Sequence, residues 1–342
     1  MSKPTVHDIA REAGVSLATV DRVLNERPGV RDRTVERVRD AVRRLGYVRN
    51  TQAANLARQR RYAFAFVLPE GPNQFVETMR ASLTETLEAH TTELLSVTVW
   101  PVPAHDPHAV VRTLVRLSAS QVDGAAVMLP ETPQVRDAIV RLKADGMAIV
   151  ALASDLPNSP RDHFVGINSH SAGRAAASLM GRFIGARKGD VLVVTNSLQA
   201  RDSLERRLGF DAVMAAEFSD LRALPSIESH NDPDRMETIV RAAASRNPSL
   251  VGVYSMGSGN APLLRGLRRS GRSDELTVIA HELTSVTRQA LVAREVDAVI
   301  TQNVGHLVRS ALRVLRARVD GIPIFEAQER IRTDIVIREN LP

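Results

Sequence analysis

The sequence contains no cysteine, only eight Phe, three Tyr and one Trp in 342 residues, and no apolar run of membrane-spanning length. Without cysteine there is no disulfide scaffold and no thiolate metal site, which suits a reducing cytoplasm. Asp8, Arg11 and Glu12 interrupt the N-terminus, so it has no apolar signal-peptide core. The expectation is a chain with no membrane partner. Nine histidines are scattered without ligand spacing, so neither a metal nor another cofactor is expected. The chain also lacks a phosphate-binding P-loop, a Gly-x-Ser-x-Gly elbow and a His-Glu-x-x-His helix. Gly257-Ser258-Gly259 opens like a dinucleotide loop but has no third glycine. His281 and Glu282 are neighbours on an extended segment and therefore point to opposite sides of it, which makes a poor acid–base pair.

What is present is unevenly distributed. Residues 1–61 hold 14 Lys and Arg against 7 Asp and Glu, whereas the remaining 281 residues hold 31 against 32. The excess positive charge therefore sits in the first sixth of the chain, as in a nucleic-acid-binding head on a neutral body. At 342 residues the chain is too long for one core and should form two or three domains.

The head is organised by residues 5–24. Thr5 and Asp8 form a capping box; Ile9, Ala10 and Ala13 share one helical face; Gly14 ends the helix where a left-handed residue is needed. Ser16 can cap a second helix with apolar positions Leu17, Val20, Val23 and Leu24. Two short helices around a glycine turn make a helix-turn-helix, whose second helix enters the major groove of DNA. A third helix is expected over about 32–45, with Val35, Val38, Val42 and Leu45 inward and Arg33, Arg37, Arg39 and Arg44 outward. Residues 49–61 are polar and basic apart from a few Ala and Leu56. They are too few to hold a helix unaided, and would fold when a partner supplies contacts.

From Tyr62 onward strand and helix alternate. A first series of strands is expected at 62–68, 94–99, 124–129 and 147–151. A second follows at 164–167, 191–195, 221–225, 250–254 and 277–280, with further strands at 298–300 and near 331–336. Helical stretches lie between them. This predicts two doubly wound parallel sheets with ligands at the carboxyl ends of the strands.

The head resembles the lactose-repressor (LacI) family of bacterial transcription regulators. The matching stretches are Thr5-Val6-His7-Asp8-Ile9-Ala10, Ala13-Gly14-Val15-Ser16, Ala18-Thr19-Val20, Arg22-Val23-Leu24-Asn25 and Arg44-Leu45-Gly46-Tyr47. The body resembles that family's effector domain, itself similar to periplasmic sugar-binding proteins. Its motifs are Gly166-Ile167-Asn168 before Ala172-Gly173, Arg206 ahead of Gly209-Phe210, Val278-Ile279-Ala280-His281-Glu282, and Gln302.

The resemblance implies a head over 1–48, a hinge over 49–61 and an effector and dimerisation domain over 62–342. Its two subdomains would be about 62–165 with 294–324, and 166–293 with 325–342. It implies DNA contacts at Thr5, Ser16, Leu17, Ala18, Thr19, Arg22, Asn25, Ala53 and Leu56. Arg22 can fork onto guanine O6 and N7, and Leu56 would wedge between base pairs in the minor groove. Asp21 departs from the family's usual Ser; beside phosphate it is repulsive unless it pairs with Arg22 or accepts from a cytosine amino group. Ligand contacts are implied at Phe75, Arg206, Glu282 and Gln302, with Ser154 and Asp155 substituting for an acid that Ala153 replaces. The expected function is a ligand-responsive repressor binding a near-palindromic double-stranded DNA operator as a homodimer. Its effector would be a sugar, polyol or sugar acid. The competing reading is an enzyme built on the doubly wound fold with an accessory DNA-binding head.

Overall fold

The computed structural model describes residues 4–24, 27–47, 61–89, 94–103, 105–118, 120–230, 232–257 and 259–342. The chain divides into two units, residues 1–60 and 61–342. The hinge residues Ala53 and Leu56, and Asn25, lie outside the described residues.

Among the described residues the first unit holds the helices α1 (Val6–Ala13), α2 (Leu17–Leu24) and α3 (Asp32–Leu45). The Asp8 carboxylate accepts from the Thr5 backbone N–H at 2.9 Å and from its hydroxyl at 2.8 Å, which holds it below the usual carboxylate range. Gly14 is left-handed at φ 61° and closes α1. The Arg37 guanidinium donates to the Ala13 carbonyl and, at 3.2 Å, to that of Gly14. Arg37 is therefore spent on bracing the turn from α3 rather than turned outward. Ile9, Ala13, Val20, Val38 and Ala41 make the small core.

The second unit begins with β1 (Tyr62–Pro69), α4 (Gln74–Ala89), β2 (Leu95–Val102) and α5 (Pro107–Ser118). It continues through β3 (Gly124–Val127), α6 (Pro133–Ala144), β4 (Ala148–Leu152) and β5 (His163–Val165). Next come α7 (Ser169–Ile184), β6 (Gly189–Thr195), α8 (Arg201–Glu217), β7 (Leu221–Ala223), β8 (Ile227–Glu228) and α9 (Pro233–Arg246). The remainder is β9 (Leu250–Ser255), α10 (Asn260–Ser270), β10 (Thr277–His281), α11 (Ser285–Val292), β11 (Ala298–Gln302), α12 (Val304–Asp320), α13 (Glu326–Glu329) and β12 (Thr333–Val336).

These strands form two sheets of one topology, β2-β1-β3-β4-β5 and β12-β11-β10-β9-β6-β7, with β8 paired to β6. The first sheet follows the order 2-1-3-4-5, and the second, leaving aside β8, repeats that order from β6 and adds β12 at its edge, which places a ligand crevice at the β1/β3 and β6/β9 switch points. Among the described residues every strand pairing is parallel except β11 with β12, a departure from two wholly parallel sheets. The apolar runs Phe64–Leu68 and Val191–Val194 are buried on both faces, as parallel strands between helix layers must be. One face of the first sheet packs on α5 and α6; its other face packs on α4 and α12. In the second sheet, α7 and α8 cover one face and α9, α10 and α11 the other.

Two expectations need correction. The strand read at 164–167 opens no second series, because β5 pairs with β4 and closes the first sheet. The crossing implied near 294 falls after Gln302, because β11 pairs with β10 and β12 of the second sheet. Among the described residues no helix is long and apolar enough to cross a membrane.

Candidate functional site

In α2 the buried seam is Val20 and Val23, so the expected apolar position Leu17 is not part of it: Leu17 is 42% exposed. With about 100° per residue, Leu17, Ala18, Asp21 and Arg22 share one arc of about 140°, and all four are exposed. Ser16 caps the helix, accepting from the Thr19 N–H at 3.2 Å, and the two hydroxyls lie 2.9 Å apart. The Asp21 carboxylate meets the Arg27 guanidinium at 3.3 Å, a partner that was not among those expected. Thr5 is exposed beside the start of α1.

The second candidate site is a cleft between the two sheets. It receives the loops after β1, β3 and β4 from one sheet and after β6, β9, β10 and β11 from the other. Phe75, Ser154, Arg206, Glu282 and Gln302 all line it. Asp155 does not. Its carboxylate takes both arms of Arg161, one at 2.7 Å, and the Leu156 N–H at 2.7 Å. That pair turns it to a groove behind the loop.

Arg206 is 3% exposed. Its position depends on how closely α7 and α8 approach. A Cβ on Gly173 would fall 2.0 Å from the Arg206 carbonyl oxygen, and one on Gly209 2.0 Å from that of His170. Only glycine allows this contact. The guanidinium donates to the Met256 carbonyl at 2.6 Å and stands 3.6 Å from Asp202 and 3.5 Å from Glu282. Gln302 Nε2 donates to Glu282 Oε1 at 3.1 Å. The other atoms of this cluster, Arg206 Nε, Glu282 Oε2 and Gln302 Oε1, are buried without a hydrogen-bond partner among the described residues. Orphaned buried polar atoms cost about 1–3 kcal/mol each, so the cluster is complementary to hydroxyl groups that can both donate and accept. Burial raises the Glu282 carboxyl to about 7 against the opposing pull of Arg206.

Behind the cluster His281 is fully buried, with Nε2 2.8 Å from the Tyr254 hydroxyl. Burial holds it well below its usual pKa. Glu282 lines the cleft, whereas His281 does not and belongs to the core. Asn260 ties β9 to β10, accepting from Ser255 at 2.8 Å and donating to the His281 carbonyl at 3.0 Å. Asp202 was not foreseen, although its place one turn before Arg206 is the usual i,i+4 spacing of a helical ion pair. Asn196 and His230 were also missed; Asn196 directly follows β6, and His230 sits just past the two-residue β8. Of the four non-glycine residues with left-handed φ among the described residues, three line the cleft: Ala153 at 60°, His230 at 55° and Glu282 at 68°. Such backbone strain collects at functional sites.

Residues 64–323 match the periplasmic binding protein domain family, and residues 5–50 match the bacterial regulatory proteins of the lacI family. The HTH-type transcriptional regulator RegA of Clostridium saccharobutylicum is 46% identical over 71 residues, 21% of each chain. The HTH-type transcriptional regulator DegA of Bacillus subtilis is 27% identical over 161 residues, 47% of each chain. The matched stretches thus span from a fifth to about half of these relatives' length. Among solved structures, GanP, a glucose-galactose binding protein from Geobacillus stearothermophilus, superposes with a TM-score of 0.73 at 18% identity, covering 83% of this chain and 99% of that one. A solute binding protein from Burkholderia graminis in complex with D-arabinose gives 0.71 at 19% identity, covering 82% and 96%.

Proposed function

The chain belongs to the lacI family of bacterial regulatory proteins, with a periplasmic binding protein domain as its body, and on that premise we propose that it is a ligand-responsive transcription regulator acting as a cytoplasmic repressor. One observation carries this reading. A basic head exposes Ser16, Leu17, Ala18 and Arg22 along one helix, and the same chain buries a cluster of unpartnered polar atoms between two sheets. The first is the surface of a DNA reader, and the second is the lining of a small-molecule site. Relatives named as transcriptional regulators support a regulator over an enzyme.

In this reading Arg22 reads a guanine, and Leu17 and Ala18 touch apolar base edges such as a thymine methyl. Ser16, Thr19, Thr5 and Asn25 hold the backbone, while Ala53 and Leu56 serve the hinge. One head covers too few base pairs for genomic specificity, so two copies bind a near-palindromic operator as a homodimer. Effector bound between the sheets favours one angle between the subdomains, and that angle sets the spacing of the paired hinges.

Selection of operator sequences from random DNA, followed by anisotropy titration, tests this reading. Arg22→Ala is expected to cost about 1–3 kcal/mol and to relax one symmetric base position. Affinity is expected to fall by about three to five decades between 50 and 200 mM salt if each dimer makes six to ten phosphate contacts. Leu56→Ala is expected to weaken specific binding while non-specific binding holds. An unchanged sequence logo for Arg22→Ala removes that residue from the base readers, and salt-insensitive binding removes the charged head.

A further inference from the structure

The cleft does not end at Glu282. The chamber around Arg206, Glu282 and Gln302 has a volume of about 130 Å³. Phe75, Asn196 and Glu282 form a rim that it shares with a second chamber of about 430 Å³. Gln74 and Glu77 of α4 wall this outer chamber from one subdomain; Asp232, Met236, Ala261 and Arg265 wall it from the other.

We propose that the effector is a neutral two-unit saccharide or glycoside, with one ring on Arg206, Glu282 and Gln302 and the second in the outer chamber against Phe75 and α10. The inference rests on the effector reading above and narrows its ligand class. Three observations carry it. The first is size: the inner chamber falls below the range of about 300–1,000 Å³ typical of small-ligand pockets, and the two chambers together fall inside it. The second is continuity. Glu282 lines both chambers and keeps Oε2 unpartnered, so an acceptor waits at the junction, where a ligand spanning both would carry a hydroxyl.

The third is charge. The two chambers are lined by Glu77, Asp202, Asp232 and Glu282 against Arg206 and Arg265. Arg265 is already engaged with Glu237 at 2.9 Å, and Arg206 already stands between two carboxylates. A ligand carboxylate or phosphate would add negative charge to an acidic surround, which disfavours sugar acids and sugar phosphates. Hydroxyl groups meet no such penalty. A second ring also touches both subdomains on its own, through α4 on one side and α10 on the other, so it adds to the closing force of the first.

Thermal shift followed by calorimetry on the full chain decides the matter. The probes are neutral mono- and disaccharides and the matching aldonic acids. Two variants accompany the wild type. Ala261→Phe fills the outer chamber from α10, and Glu77→Ala, at an exposed position on α4, removes one wall group without touching the core. A disaccharide is expected to bind most tightly. Ala261→Phe should lower that affinity by about tenfold or more and close the gap between the disaccharide and its single-ring fragment. Glu77→Ala should reduce the same gap by a smaller factor. If a monosaccharide or an aldonic acid binds most tightly, or if both variants preserve the gap, the outer subsite is overturned while the ligand-responsive reading stands. If no probe binds the wild type, both fall.

Discussion

Glu282 shows how a single buried acid can weaken a fold while serving its site. Burial raises its carboxyl from 4.5 to about 7, because desolvation outweighs the attraction of Arg206. The unfolded chain ionises first as pH rises, so the folded state holds the extra proton across that interval. Stability from this group is complete below about 4.5 and is lost as pH rises through about 7; the shift is worth about 3 kcal/mol at most. Glu282→Gln does not titrate. Its stability relative to the wild type should therefore improve progressively from pH 5 to pH 8, as read by urea unfolding of the ligand-free chain. Parallel pH profiles would show that Arg206 offsets the desolvation after all. Not every residue of this cluster was equally readable. Arg206, Glu282 and Gln302 carry recognisable local motifs, whereas the loss of Asp155 to Arg161 is a contact within an irregular loop that no periodicity records. Asp202 was legible from its i,i+4 spacing to Arg206, but on a charged helix such spacing is common and by itself marks nothing.

At the scale of elements, α7 and α8 are held together by absence of side chains. Gly173 and Gly209 let each helix press against the other's backbone, and the ring of Phe210 then stacks on Tyr254 at 4.5 Å, worth about 0.5–1.5 kcal/mol beyond burial. Gly173→Ala should push α8 outward, cost about 1–3 kcal/mol as overpacking does, and carry Arg206 away from Glu282. Both a lower melting temperature and weaker effector binding are expected; an unchanged melting temperature would show that the helices have room. Helices and long strands were legible because their apolar spacing reports burial directly. The short elements were not. β5 is three residues long, and only its hydrogen bonds to β4 decide which sheet it joins. The two residues of β8 carry no pattern at all.

For the whole body, the decisive fact is that its first sheet is not finished by its own stretch of chain. α12 follows every strand of the second sheet except β12 in sequence, yet packs Leu307, Val308, Ala311 and Leu315 into the core that holds Phe64 and Phe66. The hydroxyl of Tyr62 reaches the Asp320 carboxylate at 2.8 Å. Residues 61–342 are expected to unfold as one transition, with fluorescence and circular dichroism coinciding; two separated transitions would show the subdomains to be independent. A chain stopped after Gln302 should expose the part of that sheet face left uncovered by α4 and bind the dye ANS, and a monomeric truncation that does not bind ANS would contradict the assignment of α12. The same interleaving governs birth on the ribosome. At about 5–20 residues per second, α12 emerges about 12–50 s after β1. For that interval the earliest-made sheet waits with one apolar face covered by α4 alone, and the part that α12 will occupy must be sheltered.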